Sequence, residues 1–121
     1  MKAKDLMAGD WVAFRGKPYQ YTAQDIASMA ECEAAGSSTD SSEIPLTEEI
    51  LAKNFERSGT KFGIFDDYFD LFIYEMTDRI WAVVYHSCEF SLPDERVHIC
   101  WVHELQHFLN HCGIYKEIKI D

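Results

Sequence analysis

Helix breakers and positive charge are what this chain is short of. Prolines number three and glycines six in 121 residues, which excludes collagen-like, Pro-rich and Gly/Ser-rich low-complexity classes. No apolar run approaches the roughly 20 residues that a membrane-spanning helix needs. The N-terminal MKAKDLMAGDWVAF carries charges where a signal peptide would have an apolar core. A cytoplasmic protein without membrane contact is therefore expected. Lysine and arginine together number 11 against 21 acidic residues, for a net charge of −10. Such a surface repels phosphate backbones, so direct nucleic-acid contact is not expected and a basic protein partner is the better match. The chain also lacks a G-x-S-x-G elbow, a glycine-rich phosphate loop and a C-x2-C knuckle. Its four cysteines, Cys32, Cys88, Cys100 and Cys112, are expected to be reduced and to behave mostly as small buried apolar groups.

What is present argues for a folded core. Apolar residues make up 47% and aromatics 14%, too much for a disordered chain, and the length suits one domain. Trp11 to Phe14 reads as a strand, Arg15-Gly16-Lys17-Pro18 as a tight turn, and Tyr19 to Ala23 as the return strand. Residues 25–33 fit either a third strand or a short helix, and 35–42 form a polar loop. The first 44 residues are thus expected to be a β-rich unit resembling an SH3-like hairpin or partly open barrel. Thr47 is a good N-cap with Glu48 and Glu49 after it, and Ile50, Leu51 and Phe55 make an apolar stripe, which predicts a helix. From Lys61 the apolar period becomes two, through 61–65, 68–76, 80–88 and 96–101. That pattern predicts an antiparallel meander of about four strands with a C-terminal helix closing the core over residues 45–121. The fold class is α+β, a single domain. Trp81, Val83 and Tyr85 with Val97, Ile99 and Trp101 are expected to form the face under that helix.

The chemistry-bearing stretch is Arg96 to Ile114, and within it His103-Glu104-Leu105-Gln106-His107 matches H-E-x-x-H. In a zinc peptidase that motif supplies two imidazole ligands, here His103 and His107, with Glu104 as general base. On a helical projection Trp101, Leu105, Phe108 and Cys112 share one side, while His103, His107 and His111 share the polar side with Gln106 and Asn110. The histidines are therefore expected to look outward to water. A third ligand is hard to supply. His103 and His111 are about 12 Å apart along the helix, the downstream G-x-x-H extension is absent, and only Glu117 or Asp121 follow. Five histidines in so short a chain also make a chance match a real risk.

Two other constellations stand out. His86-Ser87-Cys88 and His98-Ile99-Cys100 repeat H-x-C. If His86 lay opposite Cys100, Cys88 would lie opposite His98, and all four would share one sheet face with zinc-type ligands. Four side chains rising from a flat sheet converge poorly on a tetrahedral point, so packed sheet residues are favoured. Asp66, Asp67, Asp70 and Glu75 gather carboxylates near a turn, without the spacing or central glycine of a calcium loop. A solvated turn is the simpler reading.

Three segments carry a family likeness: Lys4-Asp5-Leu6-Met7 with Gly9-Asp10-Trp11-Val12; Ile44-Pro45-Leu46-Thr47-Glu48-Glu49-Ile50-Leu51 with Lys53-Asn54; and Val102-His103-Glu104-Leu105-Gln106-His107 with Cys112-Gly113. Through them the chain resembles, over nearly its whole length, a family of small uncharacterised proteins from phage and prophage regions of gut anaerobic bacteria. The resemblance implies a compact accessory protein of a mobile element, and it transfers no catalytic residue. The expected function is non-enzymatic protein binding, with no cofactor. The alternatives are a zinc-dependent peptidase built on His103, Glu104 and His107, and a module that sequesters a small ligand between the two β units.

Overall fold

A computed structural model describes residues 1–87 and 94–120. A 3-10 turn at Ala3–Asp5 leads to β1 (Trp11–Phe14), β2 (Lys17–Gln20), α1 (Ala23–Ala34) and β3 (Ser41–Ser42). Then follow α2 (Glu48–Asn54), β4 (Glu56–Ser58), β5 (Lys61–Phe65), β6 (Phe69–Thr77), β7 (Ile80–Ser87), β8 (Glu95–Ile99) and α3 (Val102–His111). One antiparallel sheet has the order β2-β1-β3 and the other the order β4-β5-β6-β7-β8.

The predicted N-terminal hairpin forms, but its return strand is Lys17–Gln20 rather than Tyr19 to Ala23, so that Lys17 and Pro18 belong to the strand and Ala23 to the helix that follows. Arg15 and Gly16 both take positive φ, 52° and 80°, the geometry of a two-residue turn whose twist matches the flanking strands. Pro18 is tolerated because β2 lies at the sheet edge. The barrel-like part of the expectation gives way to a different arrangement. Residues 23–34 are a helix, capped by Thr22 and Asp25, and β3 is a two-residue strand paired with Ala13 and Phe14. The hydrogen bonds from the Thr22 backbone and hydroxyl lower the Asp25 pKa. These local caps outweigh the ambiguous apolar spacing. Ala3, Leu6, Val12, Tyr21 and Met29 form a small core under this unit.

Thr47 caps α2 as expected, its hydroxyl accepting the Ile50 N–H at 3.3 Å. The helix ends at Asn54, because Phe55 turns extended to enter β4. This edge strand adds a fifth member to the expected meander. Phe62, Leu71, Ile73, Trp81, Val83 and Ile99 line the inner face of the large sheet and are almost fully buried. Ile50, Leu51 and Phe55 from α2 and Leu105, Phe108 and Leu109 from α3 belong to the same cluster. Each such side chain contributes about 1.5–3 kcal/mol on leaving water. Gly63 admits no side chain, since a Cβ would stand 1.9 Å from the Leu71 carbonyl oxygen.

The C-terminal tail closes the core along a path that its sequence does not announce. Asn54, buried, donates through its amide to Ile50 O at 2.7 Å and to Lys119 O at 2.8 Å. Its side-chain oxygen accepts the Lys119 N–H at 2.7 Å. Ile118 is thereby held in the core, and its carbonyl accepts the Trp11 indole N–H at 2.6 Å. Among the described residues no helix is long and apolar enough to cross a membrane.

Candidate functional site

β8 runs through Cys100 and Trp101 directly into α3, so the H-E-x-x-H residues occupy the first turns of that helix. Glu104 stands at its third position and turns back. Its Oε1 accepts the backbone N–H groups of Cys100 at 3.0 Å and Trp101 at 3.1 Å. Backbone donors at a helix start have no intrahelical partner, and a carboxylate there is favoured by the helix dipole as well.

The imidazoles do not face water as a row, contrary to expectation. His103 is 6% exposed, whereas the His111 side chain is 66% exposed and pairs with Glu95 at 2.8 Å. His107 lies between these extremes, its Nε2 at 2.6 Å from Oδ2 of Asp10. The same Asp10 oxygen accepts the Met7 N–H at 2.7 Å, and Asp10 is buried. Gln106 extends the contact, accepting the Trp11 N–H at 2.9 Å and donating to Gly9 O at 3.0 Å. The helical projection ranks faces by polarity alone. Here Gln106 and His107 of the polar face of α3 meet polar groups of a loop, residues 7–11, while Asn110 and His111 stay exposed.

A cavity of about 610 Å³ remains between these parts, lined by Met1, Leu6, Glu43, His103, Glu104 and His107 among others. The Met1 ammonium is held by Glu43 at 3.1 Å. His103 and His107 approach edge to face with ring centroids 5.6 Å apart. His103 Nδ1 is buried without a hydrogen-bond partner among the described residues. Burial of the ring lowers the His103 pKa, the neighbouring His107 pushing the same way and Asp10 the other. Among the described residues a third ligand does not converge here. Glu117 is exposed, Asp121 lies outside the described residues, and among the described residues no three His, Cys, Asp or Glu side chains are grouped as a metal ion would need.

Among the described members of the H-x-C pairs, His86 and Cys100 are not set opposite each other. His98 pairs with Ala82 and Glu95 with Tyr85, so His86 does not oppose Cys100. It sits four residues beyond Ala82, about 13 Å along the strand at 3.4 Å per residue, and bonds Asp94 at 2.5 Å. That hydrogen bond and its charge raise the His86 pKa. Cys88 lies outside the described residues. Cys100 instead marks the strand-to-helix junction, its carbonyl accepting the Leu46 N–H at 2.9 Å. The cysteines also differ from the buried apolar role expected of them: Cys32 is exposed, and Cys100 and Cys112 are partly so, all free thiols. Burial and the nearby Glu95 push the Cys112 thiol up to about 11, leaving it a poor nucleophile at neutral pH. In the carboxylate turn, Asp66 accepts the Tyr68 N–H at 3.3 Å, ordinary turn chemistry.

A groove of about 620 Å³ runs along the far side of α3. Its floor is the length of β8, and its wall is Glu104, His107, Phe108 and His111, one stripe at helical spacing. Asp10, Asn54 and this groove were not apparent in the sequence. Asp10 and Asn54 are single polar residues whose partners lie far along the chain, and a groove exists only once strand and helix are packed. Comparison of the chain with protein-family models, with curated proteins and with solved structures finds no match.

Proposed function

We propose that this chain is a non-enzymatic, protein-binding accessory protein of phage or prophage type, acting on a basic partner. One observation carries the reading: every motif residue of H-E-x-x-H that peptidase chemistry needs has a structural position instead. Glu104 holds the start of α3, His107 anchors that helix to Asp10, and His103 is buried against the same loop. The three segments that carry the phage-family likeness also meet one another, through His107 with Asp10, Gln106 with Trp11, and the Val102 N–H on Ile44 O at 2.9 Å. A likeness concentrated at a packing junction suits a shared scaffold better than a shared reaction. The net charge of −10 supports a basic partner through long-range attraction.

Metal analysis of the purified protein, joined to affinity capture at low and physiological salt, tests this. The expected result is no stoichiometric zinc and a captured basic protein whose retention falls with salt. Stoichiometric zinc lost in a folded His103→Ala or His107→Ala variant, together with zinc-dependent peptide cleavage, overturns the reading in favour of the peptidase.

A further inference from the structure

Resting on that binding reading, we propose that β8 and the groove beside α3 are the docking site, and that the occupant is an extended, basic segment of a protein partner added as a sixth strand.

The argument starts from the backbone. β8 closes the order β4-β5-β6-β7-β8 and, among the described residues, pairs only with β7. In an antiparallel ladder alternate residues turn their N–H and C=O groups away from the one neighbour. Among the described residues, 95–99 make no backbone hydrogen bond beyond that ladder, whereas the very next stretch, Cys100 to Val102, is already paired with Ile44 and Leu46. An exposed row of ladder groups is a template for a strand and for little else. Five residues at about 3.4 Å each give a template about 17 Å long.

The second part is the groove itself. Beside this edge runs α3, so an added strand would set alternate side chains against Phe108 and Val97 and the others toward solvent. At the opposite edge, β4 has three residues, all exposed.

Charge then selects the occupant. Glu95 and Glu104 stand in the groove beside Arg96, Glu95 paired with His111 and Glu104 with the start of α3, so it is the net charge of −10 on the whole molecule that favours lysine or arginine in the incoming segment. A second copy of this chain is disfavoured on the same ground. Antiparallel self-pairing centred on Val97 would also set Arg96 against His98 on both sides of that centre.

The test uses the full chain and a displayed library of random nonapeptides, with the enriched peptides remade free. Lysine- or arginine-containing sequences are expected, with amides 95–99 becoming protected from hydrogen exchange on binding. Two N-methylated versions of one peptide follow, substituted at odd or at even positions. Strand addition uses alternate amides, so one version should lose at least tenfold in affinity and the other stay within about threefold. Equal loss in both, or in neither, overturns strand addition. Binders that protect residues away from 95–99 overturn this site while leaving the protein-binding reading intact. Zinc-dependent cleavage of the peptides, or no enrichment above an unrelated control protein, overturns both.

Discussion

Asp10 and His107, 97 positions apart in the sequence, meet at 2.6 Å. The carboxylate is buried and also accepts the Met7 N–H, so a single oxygen shapes the loop before β1 and anchors α3 to it. Replacing Asp10 with Ala should cost about 2–3 kcal/mol, since both donors lose a charged acceptor. In a double-mutant cycle with His107→Ala, measured by denaturant unfolding, a coupling of about 1 kcal/mol or more is expected. Strict additivity would mean that the pair does not hold the helix.

Glu104 separates a structural from a catalytic role in one substitution. Gln keeps an oxygen that accepts the Cys100 and Trp101 N–H groups, so Glu104→Gln should change stability by no more than about 0.5 kcal/mol, while Glu104→Ala should lose about 1 kcal/mol. Thermal melts of the two variants check this. A Gln variant as unstable as the Ala variant would contradict the capping geometry.

His103 links stability to pH. Its folded pKa is lowered from an ordinary value of 6.5, burial being the main cause. The unfolded chain therefore takes up the proton first as pH falls. The contribution is intact above about 6.5 and is lost progressively as pH drops toward the lowered folded value. The raised pKa of His86 works in the opposite sense, its contribution present at low pH and lost as pH rises through its folded value, but that ring is at the surface and screening makes its share small. Unfolding free energies of wild type and His103→Phe between pH 8 and pH 5 should diverge, with the wild type showing the steeper loss on acidification. Parallel curves would show that His103 is not the buried neutral imidazole described above.

Asn54 holds the tail through two hydrogen bonds to Lys119, its amide being fixed by a third to Ile50 O in its own helix. Asn54→Ala should cost about 2–3 kcal/mol, and it should expose amides 117–120 to exchange before the large sheet opens. Exchange of those amides unchanged from wild type would show that Ile118 alone suffices to dock the tail.

Local pattern was enough for most of the architecture. The Thr47 cap, the Arg15-Gly16 turn, the alternation through β5 to β8 and the inner face of Trp81, Val83 and Ile99 each depend on residues within one or two turns or strands, where periodicity and backbone preference act directly. Residues 25–33 are ambiguous at that level, because their apolar spacing suits strand and helix alike.

By itself, then, the sequence determined the α+β class, the hairpin, the meander and the closing amphipathic helix, all products of short-range patterning. Only the tertiary structure decided where the H-E-x-x-H side chains point, which residues of β7 and β8 face each other, and where the tail runs. These depend on partners such as Asp10 for His107 and Asn54 for Lys119. Polarity along a helix says which side can tolerate water. It does not say whether water or a distant polar loop will be found there.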